Sequence, residues 1–379
     1  MYNNLITSHN LETEFTTKGN VNVSLQHSFS DDNDNDNENN NHHYGSNSIE
    51  QLYNKALYYR KQGKYTKAID LFTQVLLSYP NHFKSLFNKA YSLEKIHKYK
   101  ESIQTYTQAI QIDNTYPYTF YNRGIVFDKL GLYDLSIIDF TKAIELYPNK
   151  AEFYYNRASS FKKATQYTEA IHDYTSYILY NKGTNIYNAV FNRATCYEKI
   201  KSYSNAINDF KECIRINNNS NSCDSVLPLY HLGNIYYKNE MYDKAGNYFN
   251  QVICVNNKYA SAYHGLGLVN EKNKNYIMAI EYFTRAININ SSSSVYYYNR
   301  ACVYQHVGVI SQAINDLNEA IKLDKENLMF YENRAYLYAI NKEYKLAIGD
   351  YDFILGKDKC NLIAKKNKEL CLEKLFQCD

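Results

Sequence analysis

From about Ser48 onward this chain repeats itself, and the repeat constrains its fold more than any other feature. The segments KYTKAIDLF, KYKESIQTY, LYDLSIIDF, QYTEAIHDY, SYSNAINDF, MYDKAGNYF, NYIMAIEYF, VISQAINDL and EYKLAIGDY align without gaps. They define nine repeats starting at Ile49, Phe83, Pro117, Ala151, Tyr187, Val226, Ala260, Ser294 and Leu328. Six of the eight spacings are 34 residues, one is 36 and one is 39. A unit of that length cannot bury an apolar face alone, so stacked neighbours must supply the core.

Within each repeat the apolar residues follow a 3.6 period over positions 2 to 14 and again over 18 to 31, which predicts two amphipathic helices. Small residues mark where the two helices meet. Position 8 holds Ala56, Ala90, Gly124, Ala158, Ala194, Gly233, Gly267, Ala301 and Ala335, and position 20 holds Ala or Ser throughout. Large residues fill the space left: position 24 is aromatic except at Leu317, and position 17 is Tyr except at Ile310. Rings recurring at positions 4, 5, 11, 17 and 24 account for most of an unusual composition, 42 Tyr with no Trp. Only 4 Pro and 13 Gly among 379 residues are too few for the turns of a β-rich fold or for phosphate loops, so the composition also points to helix.

In these residues the chain resembles the tetratricopeptide repeat family, a helix-turn-helix unit that is large at position 4, small at 8, aromatic at 11 and 17, Ala at 20, aromatic at 24 and Ala at 27. The resemblance covers residues 49–358. It departs from the pattern at position 32, where Pro stands only as Pro80 and Pro148, at position 15, where Gly stands only as Gly63, Gly131 and Gly308, and at Asn270. The resemblance implies an all-α, right-handed superhelical solenoid whose first helices line a concave wall. Residues 359–379 are expected to form a capping helix, with Leu362, Leu370, Leu372, Leu375 and Phe376 on the last repeat and Lys365, Lys366 and Lys368 in water. Polar insertions at 181–186 and 217–225 are expected to be loops.

Residues 1–48 read as a disordered tail: the run SDDNDNDNENNNHH has no periodic apolar face with which to offset the entropy of ordering. Seven acids and one lysine fall there, so the net charge of +3 divides into −6 on the tail and +9 on the repeats. The N-terminus lacks the basic flank and apolar run of a secretion signal, and no stretch is apolar enough to cross a membrane, which predicts a cytoplasmic protein without membrane insertion. Eight scattered cysteines with no CxxC pair predict neither a disulfide framework nor a metal site, and no cofactor is expected.

Comparing the repeats with one another brings out candidate functional residues. Arg at position 7 appears as Arg123, Arg157, Arg193, Arg300 and Arg334, and the same five repeats alone carry Asp at position 23, as Asp139, Asp173, Asp209, Asp316 and Asp350. Joint presence and absence predicts five structural ion pairs. Position 6 holds Asn54, Asn88, Asn122, Asn156, Asn192, Asn299 and Asn333, broken by His231 and Gly265. An amide row offers donors and acceptors to the main chain of an extended peptide, and a similar asparagine ladder is known in the repeat domain of O-GlcNAc transferase. Position 5 adds rings, among them Tyr53, Tyr121 and Tyr155, and position 13 is Lys in the first seven repeats, including Lys95, Lys129 and Lys163. Amides, rings and a basic edge describe a groove for an extended acidic or neutral peptide. The acidic run Asp31–Glu38 is a candidate competitor for it.

The chaperone carboxylate clamp of the family needs Lys at position 5, which no repeat has, and there is no P-loop, HExxH or nucleophile elbow. The sequence therefore predicts a non-enzymatic scaffold or adaptor for other proteins. A regulatory subunit or co-chaperone-like adaptor that positions a separate enzyme is the alternative, and an RNA-associated protein comes third. Nucleic acid is disfavoured because acids at position 12, such as Glu94 and Asp128, interrupt the lysine row.

Overall fold

A computed structural model describes residues 46–181, 186–219 and 225–377. Within these, helices alternate with short turns and form an all-α repeat solenoid. Two compact bodies divide the chain, one ending at Asn257 and the other beginning at Lys258. The first contains α1 (Ser46–Lys61), α2 (Tyr65–Ser78), α3 (Phe83–Lys95), α4 (Tyr99–Ile112), α5 (Pro117–Lys129), α6 (Tyr133–Leu146), α7 (Ala151–Lys163), α8 (Tyr167–Tyr180), α9 (Tyr187–Lys199), α10 (Tyr203–Asn219), α11 (Val226–Lys238) and α12 (Tyr242–Val255). The second contains α13 (Ala260–Lys272), α14 (Tyr276–Ile289), α15 (Ser294–His306), α16 (Ile310–Leu323), α17 (Leu328–Ile340), α18 (Tyr344–Lys357) and α19 (Leu362–Phe376). In the first body α2, α4, α6, α8 and α10, and in the second α14 and α16, each pack on their own first helix and on the first helix of the next repeat.

The first helix of a repeat occupies positions 1 to 13 and the second positions 17 to 30, each one residue earlier than the periodicity predicts. Backbone geometry at the two junctions sets these limits. The residue at position 15 is left-handed in all nine repeats: Gly63, Gly131 and Gly308, but also His97, Thr165, Lys201, Glu240, Lys274 and Lys342, whose φ lies between 59° and 63°. It closes a Schellman turn, as where Lys98 N–H donates to Leu93 O and His97 N–H to Glu94 O. Turns without glycine therefore keep the same geometry and bear the strain of a side chain at positive φ, about 1 kcal/mol or more each.

Two boundaries differ from expectation. The tail is expected at 1–48, yet α1 begins at Ser46, because Ser and Asn are favoured at helix starts; residues 1–45 lie outside the described ones. The insertion at 217–225 opens by prolonging α10 to Asn219 rather than as loop, since Asn217 is buried and stays helical. That at 181–186 has its centre, 182–185, outside the described residues. The capping helix α19 packs on α18 through Ala364 and Cys371, with Lys368 Nζ 2.6 Å from Asp352. Leu362 and Phe376 face outward, 79% and 76% exposed, as does much of Leu370, because the small residues fix which face approaches closely.

The core is a ring column. Phe72, Tyr106, Phe140, Tyr174, Phe210, Phe249, Phe283 and Tyr351 at position 24 are fully buried, beneath the small residues of position 8. At Gly233 and Gly267 the ring lies so near that a Cβ would sit 2.5 Å from Phe249 Cε1 and Phe283 Cε1 respectively.

Candidate interaction surface on the first helices

The five arginines of position 7 join repeats as well as helices. Arg123 donates from Nε and Nη2 to the two Asp139 oxygens at 2.7 and 2.8 Å, and from Nη1 to Thr107 Oγ1 at 2.9 Å. Thr107 belongs to the preceding repeat. The arrangement recurs for Arg157 with Asp173 and Thr141, Arg193 with Asp209 and Thr175, Arg300 with Asp316 and Thr284, and Arg334 with Asp350 and Asn318. Rings at positions 4 and 11 flank four of the guanidiniums, as Phe120 and Phe127 do for Arg123. The third contact escaped the comparison of repeats, although a hydroxyl or amide stands at position 25 one repeat before each arginine.

First helices of successive repeats adjoin within each body, and the asparagines of position 6 lie on that row. Asn88 Nδ2 donates to Tyr53 OH at 3.3 Å, Asn156 Nδ2 to Tyr121 OH at 2.7 Å, Asn192 Nδ2 to Tyr155 OH at 3.3 Å and Asn333 Nδ2 to Tyr298 OH at 3.0 Å. Each phenol belongs to position 5 of the preceding repeat. Burial raises the pKa of all four phenols, so they remain protonated partners. For Asn122 the position 5 residue of the preceding repeat is Phe87, which has no hydroxyl; its Nδ2 is buried beside the Tyr106 phenol. Asn54, on the first helix of the array, is exposed. The rings themselves are interior: Tyr121 is buried 4.7 Å from the Phe153 centroid, and Tyr155 lies 5.1 Å from Tyr177.

Asn299 donates to His264 Nε2 at 2.7 Å, where histidine replaces the phenol. Burial pushes this imidazole from 6.5 down to about 4. Since the folded value lies below the unfolded one, the neutral ring's contribution is complete above about pH 6.5 and is lost as pH falls towards 4, a limit of about 3 kcal/mol. His264→Phe, the residue type of Phe87 and Phe191, removes that dependence. Urea midpoints are expected to favour wild type at pH 7 and the variant at pH 4.5; parallel pH profiles would refute the assignment.

A second set of rungs crosses from position 12 of one repeat to position 13 of the next. Lys129 bonds Glu94 and Lys163 bonds Asp128, while Lys238 Nζ lies 3.4 Å from Glu198. Lys95 lies 3.1 Å from Glu94 within its own repeat. Glu198 also accepts from His231 at 2.7 Å; burial raises its carboxyl, but His231 and Lys238 together hold it below its ordinary value. The basic edge read from the sequence is thus largely balanced by its own acids. The pattern changes where position 12 is basic, at Arg60 before Lys95 and at Lys162 before Lys199. Lys162 Nζ donates to Asn192 Oδ1 at 2.9 Å.

Among the described residues no cluster of His, Cys, Asp or Glu is arranged to hold a metal, and no helix is long and apolar enough to cross a membrane.

Family models match along most of the repeat region: the tetratricopeptide repeat protein 21 C-terminal ARM domain over residues 145–304, anaphase-promoting complex (cyclosome) subunit 3 over 40–109, and tetratricopeptide repeats over 97–131, 117–150 and 295–327. No curated protein matches the chain. Among solved structures, the C-terminal part of a TPR repeat-containing protein from Cytophaga hutchinsonii is 18% identical, with a TM-score of 0.53 over 65% of this chain and 98% of that one, and shares the fold. The Cut9–Hcn1 APC/C hetero-tetramer is 16% identical over 87% of this chain and 65% of its own, with a TM-score of 0.48. MamA from Desulfovibrio magneticus RS-1 is 13% identical over 46% of this chain and 97% of its own, with a TM-score of 0.43. With its helix pairs, left-handed turns and small-to-large packing repeated nine times, the chain belongs among the tetratricopeptide repeat proteins.

Proposed function

We propose that this chain is a non-enzymatic scaffold or adaptor that takes extended segments of partner proteins along its first-helix row. What supports the reading above all is the network of rungs. By tying first helices to one another within each body, it fixes polar side chains at repeat spacing before a ligand arrives, and preorganisation of that kind lowers the entropy cost of binding. Proteins of this repeat type are generally not enzymes. The candidate contacts are the row asparagines, Asn54, Asn88, Asn122, Asn156, Asn192, Asn299 and Asn333, with Lys95, Lys129 and Lys163 at the edge. Because Nδ2 of Asn88, Asn156 and Asn333 is already engaged, the contact to a bound main chain falls to Oδ1, which accepts a peptide N–H. Pairing of Lys129, Lys163 and Lys238 with carboxylates weighs against a nucleic-acid surface.

The test compares partner proteins co-purified with wild type and with Asn122→Ala plus Asn156→Ala. Loss of partners at an unchanged melting profile is expected. Tyr121→Phe, which removes the rung of Asn156 and keeps its amide, should weaken capture less than the double variant does. An unchanged partner set in the double variant would overturn the reading in favour of a regulatory subunit that positions an enzyme through other faces.

A further inference from the structure

We propose that the first-helix row of the second body takes a basic, apolar segment of the partner, with one arginine or lysine side chain seated on α17 against Glu332 and Tyr336 and a second at Glu271 on α13. The proposal rests on the reading of that row as a peptide surface and names the chemistry of its occupant, which is opposite in charge to the one expected from the lysine edge.

Four repeats carry an acid at position 12, and three of these acids meet the position 13 lysine of the next repeat: Glu94 meets Lys129, Asp128 meets Lys163 and Glu198 meets Lys238. The fourth is Glu271. Position 13 of the next repeat is here His306, and its imidazole is stacked on Tyr276, with ring centroids 5.6 Å apart. Among the described residues Glu271 makes no hydrogen bond or ion pair. Burial pushes its carboxyl up, and the adjoining charge of Lys272 offsets this only in part.

On α17, Met329, Glu332, Tyr336 and Ile340 follow at i, i+3, i+7 and i+11 and so share one stripe. The helix packs on α16 and α18, burying Phe330, Tyr331, Ala335 and Leu337, and leaves Met329, Tyr336 and Ile340 exposed. Position 5 is a ring in the eight other repeats; here it is Glu332, half-buried, with its carboxyl pushed up by burial and no cation within ion-pair distance among the described residues. Carboxylate and ring therefore stand one turn apart on an uncovered face. The same helix shows what such a pair accepts: Arg334 donates to the two Asp350 oxygens at 2.8 and 2.7 Å, with the Tyr331 and Tyr338 rings 5.4 and 5.8 Å from its guanidinium. An entering cation supplies the missing counter-charge and lies against Tyr336, while Met329 and Ile340 receive its apolar neighbours. Residues 1–48 of the chain itself, with seven acids and one lysine, have the wrong charge for this seat.

The experiment uses the full chain and two fluorescein-labelled decapeptides, GSLRVFKLSG and its neutral counterpart GSLQVFQLSG, with binding read by fluorescence polarisation at low salt. The basic peptide is expected to bind about tenfold more tightly. Glu271→Gln plus Glu332→Gln should abolish the preference without lowering the melting midpoint, since neither carboxylate has an ion-pair partner to lose. Glu281→Gln plus Glu319→Gln, which removes the same charge from second helices of the same body, should keep it. Equal binding of the two peptides, an unchanged preference in the first variant, or its loss in the second overturns the proposal. Absence of binding by either peptide overturns it too, and the co-purification test at Asn122 and Asn156, which lie in the first body, then decides the row separately. A wild type that sediments as a dimer and a Tyr336→Asp variant that sediments as a monomer would assign the stripe to a second copy and overturn the assignment to a partner.

Discussion

Asp173→Ala is expected to lower stability by about 3 kcal/mol, read from the midpoint of urea unfolding. The loss comes less from the missing attraction than from what remains. Arg157, only 15% exposed, would keep its hydrogen bond to Thr141 at 3.0 Å but lose both carboxylate oxygens, at 2.6 and 2.8 Å. A half-buried guanidinium without a counter-charge costs more than the pair contributed. Two comparisons separate this account from simple loss of packing. Arg157→Met combined with Asp173→Leu should cost clearly less than Asp173→Ala alone. The equivalent change at Asp209, whose side chain is 12% exposed against 2% for Asp173, should cost less because water reaches the stranded arginine. A double variant as damaging as the single one would refute the stranded-charge argument. In a repeat array the damage should also be local, with faster amide exchange in α5 to α8 than in α1 and α2.

Gly267→Ala is expected to destabilise by about 2 kcal/mol, although alanine is the better helix former by about 1 kcal/mol. The new methyl would lie 2.5 Å from Phe283 Cε1, and Phe283 is fully buried with no space into which to retreat. The chain contains the remedy in its next repeat, where Ala301 sits over Leu317. Gly267→Ala with Phe283→Leu recreates that pair, and the double variant should unfold at a higher urea concentration than Gly267→Ala. If Phe283→Leu gives no recovery, steric conflict is not the cause. Gly349, by contrast, has nothing within 4 Å of its missing Cβ, so Gly349→Ala should gain the helix propensity with no such penalty.

What could be read from the sequence and what could not divides along the boundary between repeats. The helices, the small-to-large packing and the coupling of Arg123 to Asp139 all lie within one repeat, where aligning nine copies makes covariation visible. Contacts between repeats join different positions of consecutive copies, and alignment in register hides them. Thr107 under Arg123 and Tyr121 behind Asn156 are of this kind. A clue was present for the amide row, because Phe87 precedes Asn122 in register where the counterparts of Asn122 are preceded by Tyr or His, but only a comparison offset by one repeat uncovers it. The lysine edge misled for the same reason, its counter-charges being one repeat earlier. For α19, apolar content was a poor guide to orientation. Ala364 and Cys371 decide which face approaches α18, and Leu362 is left outside. The turns show that glycine at position 15 is a convenience, since six other residues hold the same φ.

The staples and rungs have a consequence for how such a chain lengthens or shortens. The recurring bonds between repeats link the same positions of one copy to the same positions of the next, so joints that carry them are interchangeable parts. Excising residues 151–186 would bring Thr141 beneath Arg193, Tyr121 behind Asn192 and Asp128 against Lys199, each a pairing of a kind already present elsewhere in the molecule. A cut out of phase with the repeat would mismatch all three at once. Duplication and loss in whole repeats therefore preserve these kinds of joint, whereas insertions of other lengths do not.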